Sequence, residues 1–439
     1  MLGRRGTYGE RGSVPDLNFI FSAPQWNHER KRPRFRKEKR SDVTGQPRTY
    51  KRPVIPDRFA HCVFDRSWDH ARRWSLRAPL TESQCKQRLA RGVNVTTGID
   101  FAILPISGMH KLAGLWIRKM SESGSALRKS SVLVTGASGF IGRAVVRHLG
   151  ALGCHVIAVS RGRPLTAPIP GAAREVSAGD LSAPDSVLRD AMCGVKVVVH
   201  AAGYAHRSAP DRTSLVAANV TAAARVAEIA ASCGVRRLVL ISSAAVHGMS
   251  AVGVITEIAP VASDDAYALS KFEGEMVVRA TLVGAKTDLV IVRPCAVVGP
   301  GCAGNIPRLA RLIMRVPILP FGAIGNLRSF IAIDDLAALI GHAALSERSP
   351  EVVLAAHRTP ISTPDLIRAL AYGLERKVFL APIPVSWLGA AAKYSGHWRQ
   401  WQSFSGSFRA DVGLARHAFG FDAQTPILDA LIATAKCLW

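Results

Sequence analysis

From Ser131 onward, short runs rich in branched apolar side chains alternate with longer alanine-rich stretches. The runs Val132–Thr135, His155–Ser160, Val195–His200, Arg237–Ser242 and Asp288–Arg293 read as buried strands. Their apolar positions are nearly continuous rather than alternating, the pattern of a strand covered on both faces. Between them Ile141–Leu152, Thr213–Ser232 and Asp265–Leu282 read as helices. Buried strands separated by helices predict an α/β fold, a Rossmann-type doubly wound parallel sheet. No repeat of fixed period runs through the chain. The predicted organisation is a Rossmann domain over residues 130–295 and a smaller carboxyl-terminal lobe over 296–439.

Residues 1–129 show neither period. Pro, Arg and Trp are mixed there, and His28–Arg40 is dense in Lys and Arg. Of the chain's 57 basic and 32 acidic residues, 27 and 11 fall in residues 1–129, which carry +16 of the net +25. Such a segment buries too little apolar surface to offset chain entropy. The expectation is a disordered basic extension, or a stretch upstream of a start at Met109 or Met120. A basic arm can also bind nucleic acid. No zinc-finger spacing or zipper heptad supports that role, so no nucleic-acid partner is expected.

The whole chain is 48% hydrophobic and 20% charged, which suits a globular core. No run approaches the roughly 18 apolar residues of a membrane helix, and no signal peptide is visible. A cytoplasmic protein with no membrane contact is expected. The eight cysteines form no CxxC pair and the 13 histidines no HExxH spacing, so no metal is expected.

The first strand runs into a helix through Gly136-Ala-Ser138-Gly139-Phe140-Ile141-Gly142. Gly136 permits a tight turn, Gly139 admits a pyrophosphate close to the backbone, and Gly142 lets helix pack on strand. The helix N-terminus then offers N–H groups and a positive dipole end to phosphate. The second strand ends at Ser160-Arg161, where an acidic residue would accept bonds from the ribose hydroxyls of NAD. A guanidinium suits a 2′-phosphate instead. NADP(H) is therefore the expected cofactor, with NAD(H) the alternative. Arg161 is the first candidate, ahead of Arg143 and Arg163.

Tyr267 and Lys271 stand four residues apart on a helix that Ser263 or Asp264 can cap, so both side chains share one face. A nearby ammonium, with the positive ring of an oxidised nicotinamide, is expected to pull the phenol below its ordinary pKa. The phenol can then pass a proton to or from a carbonyl oxygen as hydride moves. Lys271 can also hold the nicotinamide ribose. Ser243, just past the fourth apolar run, can hydrogen-bond the same oxygen, with Ser242 as the competing choice.

These residues resemble the extended short-chain dehydrogenase/reductase family, in its epimerase/dehydratase branch. The resemblance runs from about Ser131 to the carboxyl terminus. It rests on TGASGFIG, GDL at Gly179–Leu181, VVHAAG at Val198–Gly203, ISSAAVHG, YALSK, and RPCAVVGPG at Arg293–Gly301. It implies a catalytic set of Ser243, Tyr267 and Lys271. The implied cofactor contacts add Asp180 at the adenine, Leu181, Ala201, Ala202, Gly203 and Pro294. Asn219 matches an asparagine of the family. Asn305 and Arg328 match residues that hold the nucleotide and pyrophosphate of a nucleotide-sugar substrate. A homodimer is implied by analogy alone.

Ala244 and Ala245 stand where the family's 4,6-dehydratases carry an Asp-Glu pair, which argues against elimination of water. His247 replaces the usual tyrosine of the serine motif. The expectation is a UDP-sugar 4-ketoreductase of surface polysaccharide biosynthesis. A C4 epimerase is the alternative, and a non-catalytic NADP(H)-binding regulator is the alternative of another class.

Overall fold

The computed structural model describes residues 130–438, apart from 163–166, 184–185 and 205–210. The basic segment 1–129 and the candidate Arg163 lie outside the described residues.

Seven strands form one sheet. They are β1 Ser131–Thr135, β2 His155–Ser160, β3 Arg174–Ser177, β4 Val197–His200, β5 Arg237–Ile241, β6 Asp288–Pro294 and β7 Val352–Ala355. Their order across the sheet is β7-β6-β5-β4-β1-β2-β3. Every pairing is parallel. The chain leaves β1 in one direction and β4 in the other, which opens a crevice at the carboxyl ends. Thr135 lies opposite His200, and His200 opposite Leu240. That register brings Gly136, Ala201 and Ile241 to one rim.

Side chains alternate between two apolar layers. Val132, Val134, Val199, Val239 and Val292 enter one, with α1 Phe140–Ala151 and α6 Ile333–Leu345. Leu133, Val198, Leu238, Leu240 and Ile291 enter the other, with α2 Ser186–Met192, α3 Arg212–Ser232 and α4 Ala266–Thr281. Each large apolar side chain so enclosed contributes about 1.5–3 kcal/mol. Among the described residues α3 is the one helix long and apolar enough to cross a membrane by length and composition, and its inner face is core. Ala223, Val226, Ala227, Ile229 and Ala230 lie on that face.

The smaller lobe has its own core. It joins α5 Asn305–Arg315, α7 Thr363–Gly373 and α8 Ile427–Lys436. The expected split at residue 295 is not linear, because α6 and β7, residues 333–355, return to the sheet. Without β7 the outer edge of β6 would present unpaired N–H and C=O groups.

Candidate active site

The glycine turn is a cradle that side chains would fill. Gly136 has φ +67, and a Cβ there would stand 2.6 Å from the backbone N of Ala202. A Cβ on Gly142 would stand 2.0 Å from the carbonyl of Gly136. The turn therefore closes only with hydrogen at both positions. Helix α1 starts at Phe140 with no side-chain cap and no acidic residue in its first turn. The N–H groups of Phe140, Ile141 and Gly142 precede Arg143 N, the first to donate within the helix, to Gly139 O at 2.9 Å, and this is the geometry that receives an anion. Ser138 turns its carbonyl to Arg143 Nε at 2.9 Å. Phe140 and Ile141 pack half-buried on the core beneath. A dinucleotide pyrophosphate fits this bare backbone.

At the end of β2, Arg161 is exposed, with its guanidinium 5.9 Å from the Tyr204 ring. Asp180 accepts hydrogen bonds from Ser182 N and Oγ at 3.0 and 2.9 Å. Those bonds hold its carboxyl below the usual range, and Arg161 adds to the effect. Arg161, Asp180 and Tyr204 thus line the outer end of the crevice. The Leu181 side chain enters the core under the sheet. Ala201 and Ala202 are half-buried just beyond β4, and Ala202 N reaches Thr135 Oγ1 at 3.4 Å. Thr135 Oγ1 also meets buried His200 Nδ1 at 2.8 Å. Burial, and then the Lys271 charge, press the pKa of His200 down to about 3, so it is neutral. Pro294 is the buried last residue of β6.

Helix α4 carries the phenol and the ammonium. Its cap is Asp265, whose Oδ1 accepts from Ala268 N at 3.1 Å, rather than Ser263 or Asp264. Ser263 Oγ instead accepts from Asp265 N at 3.2 Å. Gly274 sets the depth of α4, because a Cβ there would stand 2.3 Å from Asn219 O on α3. The α3 backbone bulges into a π-helical turn at Ala217–Thr221, around Asn219. Asn219 Oδ1 accepts from Tyr204 N and its Nδ2 donates to Ser270 Oγ, both at 2.9 Å. Lys271 Nζ donates to Ile241 O at 3.1 Å. A Cβ on Gly203 would lie 3.0 Å from that nitrogen.

The two serines part company. Ser242 Oγ points inward and donates to Glu275 Oε1 at 2.5 Å. Ser243 hydrogen-bonds the side chain of Tyr267 and accepts from Ala245 N at 3.2 Å. Ser243 is therefore the hydroxyl beside the phenol. The expected drop in phenol pKa is not what the protein's own groups produce. Burial raises Tyr267 above its ordinary value, the Ser243 bond opposes this, and Asp265 adds to the rise. Burial also lowers Lys271 to about 8, against the charge of Glu275. The Lys271 ammonium donates to the Ile241 carbonyl, and an oxidised nicotinamide ring would bring a further positive charge to the phenol.

Behind the serines lies a buried ionic cluster. Glu275 Oε1 and Oε2 accept from Arg293 Nε and Nη2 at 2.9 and 2.5 Å. His247 Nε2 meets Arg293 Nη1 at 3.0 Å, and its Nδ1 meets Pro260 O at 3.1 Å. A carbonyl only accepts and a guanidinium only donates, so His247 carries its proton on Nδ1 and is neutral. Burial lowers its pKa, consistent with that form. His247 is thus a brace for Arg293. Only the Ser242 end of this cluster was visible as a candidate in the sequence.

In the smaller lobe Asn305 is exposed at the first turn of α5. Arg328 is half-buried, and its Nη1 donates to Met249 O and Gly406 O at 3.1 and 2.8 Å. Among the described residues it has no carboxylate partner. Burial lowers its pKa, and the nearby Cys295 thiol opposes this.

A doubly wound sheet, a glycine-lined anion cradle and a Ser-Tyr-Lys cluster at one rim define a Rossmann-type dehydrogenase. The chain matches the NAD dependent epimerase/dehydratase family over residues 132–356, about half its length, and belongs to that family. It is accordingly an NAD-dependent enzyme of the extended short-chain dehydrogenase type. It is 29% identical over 323 residues to the UDP-glucose 4-epimerase of Vibrio cholerae, covering 72% of this chain and 97% of that one. It is 33% identical over 207 residues to a ceramide reductase of Caulobacter vibrioides, covering 47% of this chain and 58% of that one. Among solved structures it is similar to MoeE5 in complex with UDP-glucuronic acid and NAD. That likeness has 26% identity and a TM-score of 0.57, and covers 70% of this chain and 98% of that chain.

Proposed function

We propose that the chain is a nucleotide-sugar 4-ketoreductase that takes hydride from NADPH. The observation that carries the hydride chemistry is the Ser243–Tyr267 hydrogen bond beside Lys271, at the mouth of the glycine cradle. Bound nicotinamide supplies the hydride. The chain's own residues hold the carbonyl oxygen between the Ser243 and Tyr267 hydroxyls and deliver the phenolic proton to it. Lys271 is fixed by Ile241 O and keeps two further N–H groups to donate.

The sugar-nucleotide reading rests on the relatives that span the smaller lobe. The ceramide reductase likeness covers about half of either chain, whereas the 4-epimerase and MoeE5 likenesses cover nearly all of the relative. Arg328 suits a diphosphate, because its charge meets backbone carbonyls and no carboxylate among the described residues. Ala244 and Ala245 lack acid/base groups, and His247 is occupied on both ring nitrogens, so water elimination has no proton carrier there. Exposed Arg161 supports NADP(H) over NAD(H).

Epimerisation at C4 is the second reading, favoured by the near full-length likeness to the Vibrio cholerae enzyme. The experiment is to give the purified protein a UDP-4-ketohexose with NADPH or NADH. The proposal expects stoichiometric loss of reduced nicotinamide absorbance and a UDP-hexose product. Interconversion of UDP-hexoses without net cofactor change selects the epimerase instead. No turnover of either substrate class, with cofactor bound, removes both.

A further inference from the structure

Two thiols far from the rim lie close together. Cys193 follows the last turn of α2 and is exposed, and Cys233 caps α3 and is half-buried. Their sulfurs are 3.2 Å apart. A disulfide needs about 2.05 Å, so the sulfurs must close by roughly 1.2 Å. Rotation of two side chains supplies movement of that size, while both backbones are held. Cys193 N donates to Arg189 O at 3.0 Å and Cys233 N to Ile229 O at 2.9 Å. Arg189 Nη1 donates to Ser232 Oγ at 2.9 Å and ties the two helix ends together. Leu188, Ala191 and Met192 of α2 share a core with Val226, Ile229 and Ala230 of α3. Of the other described cysteines, Cys154, Cys295 and Cys302 are buried and Cys437 is exposed at the carboxyl end.

We infer that Cys193 and Cys233 are a site of reversible disulfide modification. With a small-molecule disulfide such as oxidised glutathione, exposed Cys193 attacks as thiolate, forms a mixed disulfide and releases one glutathione. Cys233 then gives up its proton, attacks the Cys193 sulfur and releases the second. The protein loses two hydrogens and two electrons, and one glutathione disulfide becomes two glutathiones. Burial and the neighbouring Cys193 raise the pKa of the Cys233 thiol. The closing step therefore speeds up as pH rises. The crosslink joins the β3–β4 crossover to the β4–β5 crossover.

The test is intact-mass and peptide mass spectrometry of the folded full chain, equilibrated with oxidised glutathione and then alkylated. Loss of two hydrogens and a peptide joining residues 193 and 233 are expected. Cys233→Ser should stop at a glutathione adduct on Cys193, and Cys193→Ser should form no crosslink at Cys233. The oxidised wild type should melt above the reduced one, and dithiothreitol should reverse the rise. Persistent glutathione on Cys193 of the wild type, or linkage of either cysteine to another one, overturns the inference. So does an oxidised chain that melts below the reduced one, since the bond would then strain the helices it joins.

Discussion

Removing the Glu275 carboxylate tests the cluster behind the two serines. In Glu275→Ala, Arg293 Nε, Arg293 Nη2 and Ser242 Oγ lose their acceptor together. The glutamate side chain is 0% exposed and that of Arg293 5%, so water does not reach the orphaned cation without rearrangement. Two of the four lost contacts belong to the buried Arg293 charge, the fourth being the 3.5 Å contact of Arg279 Nη1, so the cost is that of breaking a buried pair, about 3–5 kcal/mol. At the usual entropy of unfolding per residue, over about 300 described residues, this lowers the melting temperature by roughly 5–8 °C. The double variant Glu275→Met/Arg293→Met separates charge from packing. It removes the cation as well, leaving His247 Nε2 without its donor and Ser242 without its acceptor, each worth about 1–3 kcal/mol. The double variant should then be the more stable of the two in urea unfolding. A single variant within about 1 kcal/mol of wild type, or a double variant no better than the single, would refute the cluster as a buried ion pair.

Four further outcomes follow from the site. Tyr267→Phe and Ser243→Ala should each lower kcat by about 10²–10⁴ with cofactor affinity unchanged, as read by steady-state kinetics beside cofactor titration; loss of cofactor binding in step with kcat would mean structural damage. Arg161→Ala should reduce the preference for NADPH over NADH by about tenfold or more, since a charge-assisted contact is worth about 1.5–3 kcal/mol; an unchanged ratio of kcat/KM values removes Arg161 from the cofactor site. Gly142→Val should abolish cofactor binding, because even a Cβ would stand 2.0 Å from Gly136 O; titration with either nicotinamide dinucleotide checks it. Lys271 has a folded pKa near 8 against 10.5 for the free group, so between those values the unfolded chain binds the extra proton. Stability should therefore rise with pH across that window, and denaturation of Lys271→Met should lose this rise.

What the sequence made legible follows from which interactions are local. Strands buried on both faces and a glycine turn between strand and helix are written in consecutive residues, and both appear where the pattern put them. The choice between Ser242 and Ser243 was not local. It depends on which residue of α4 each serine meets, and a buried Glu275, 33 positions from Ser242, takes that hydroxyl while Tyr267 takes Ser243. His247 had no legible role for the same reason, since its partners Pro260 and Arg293 come from other segments. Strand β3, of four residues, has little apolar content of its own, and β7 lies beyond the predicted boundary, where only the open edge of β6 gives it a place. The direction in which the protein's own groups move the phenol pKa follows the same logic. Four-residue spacing on a helix sets two side chains on one face, but it does not say where the ammonium points. Lys271 turns to a strand carbonyl, and burial then governs Tyr267. Spacing along one helix thus identified which groups meet at the rim, whereas their protonation is set by the strand end and the depth at which Gly274 seats the helix.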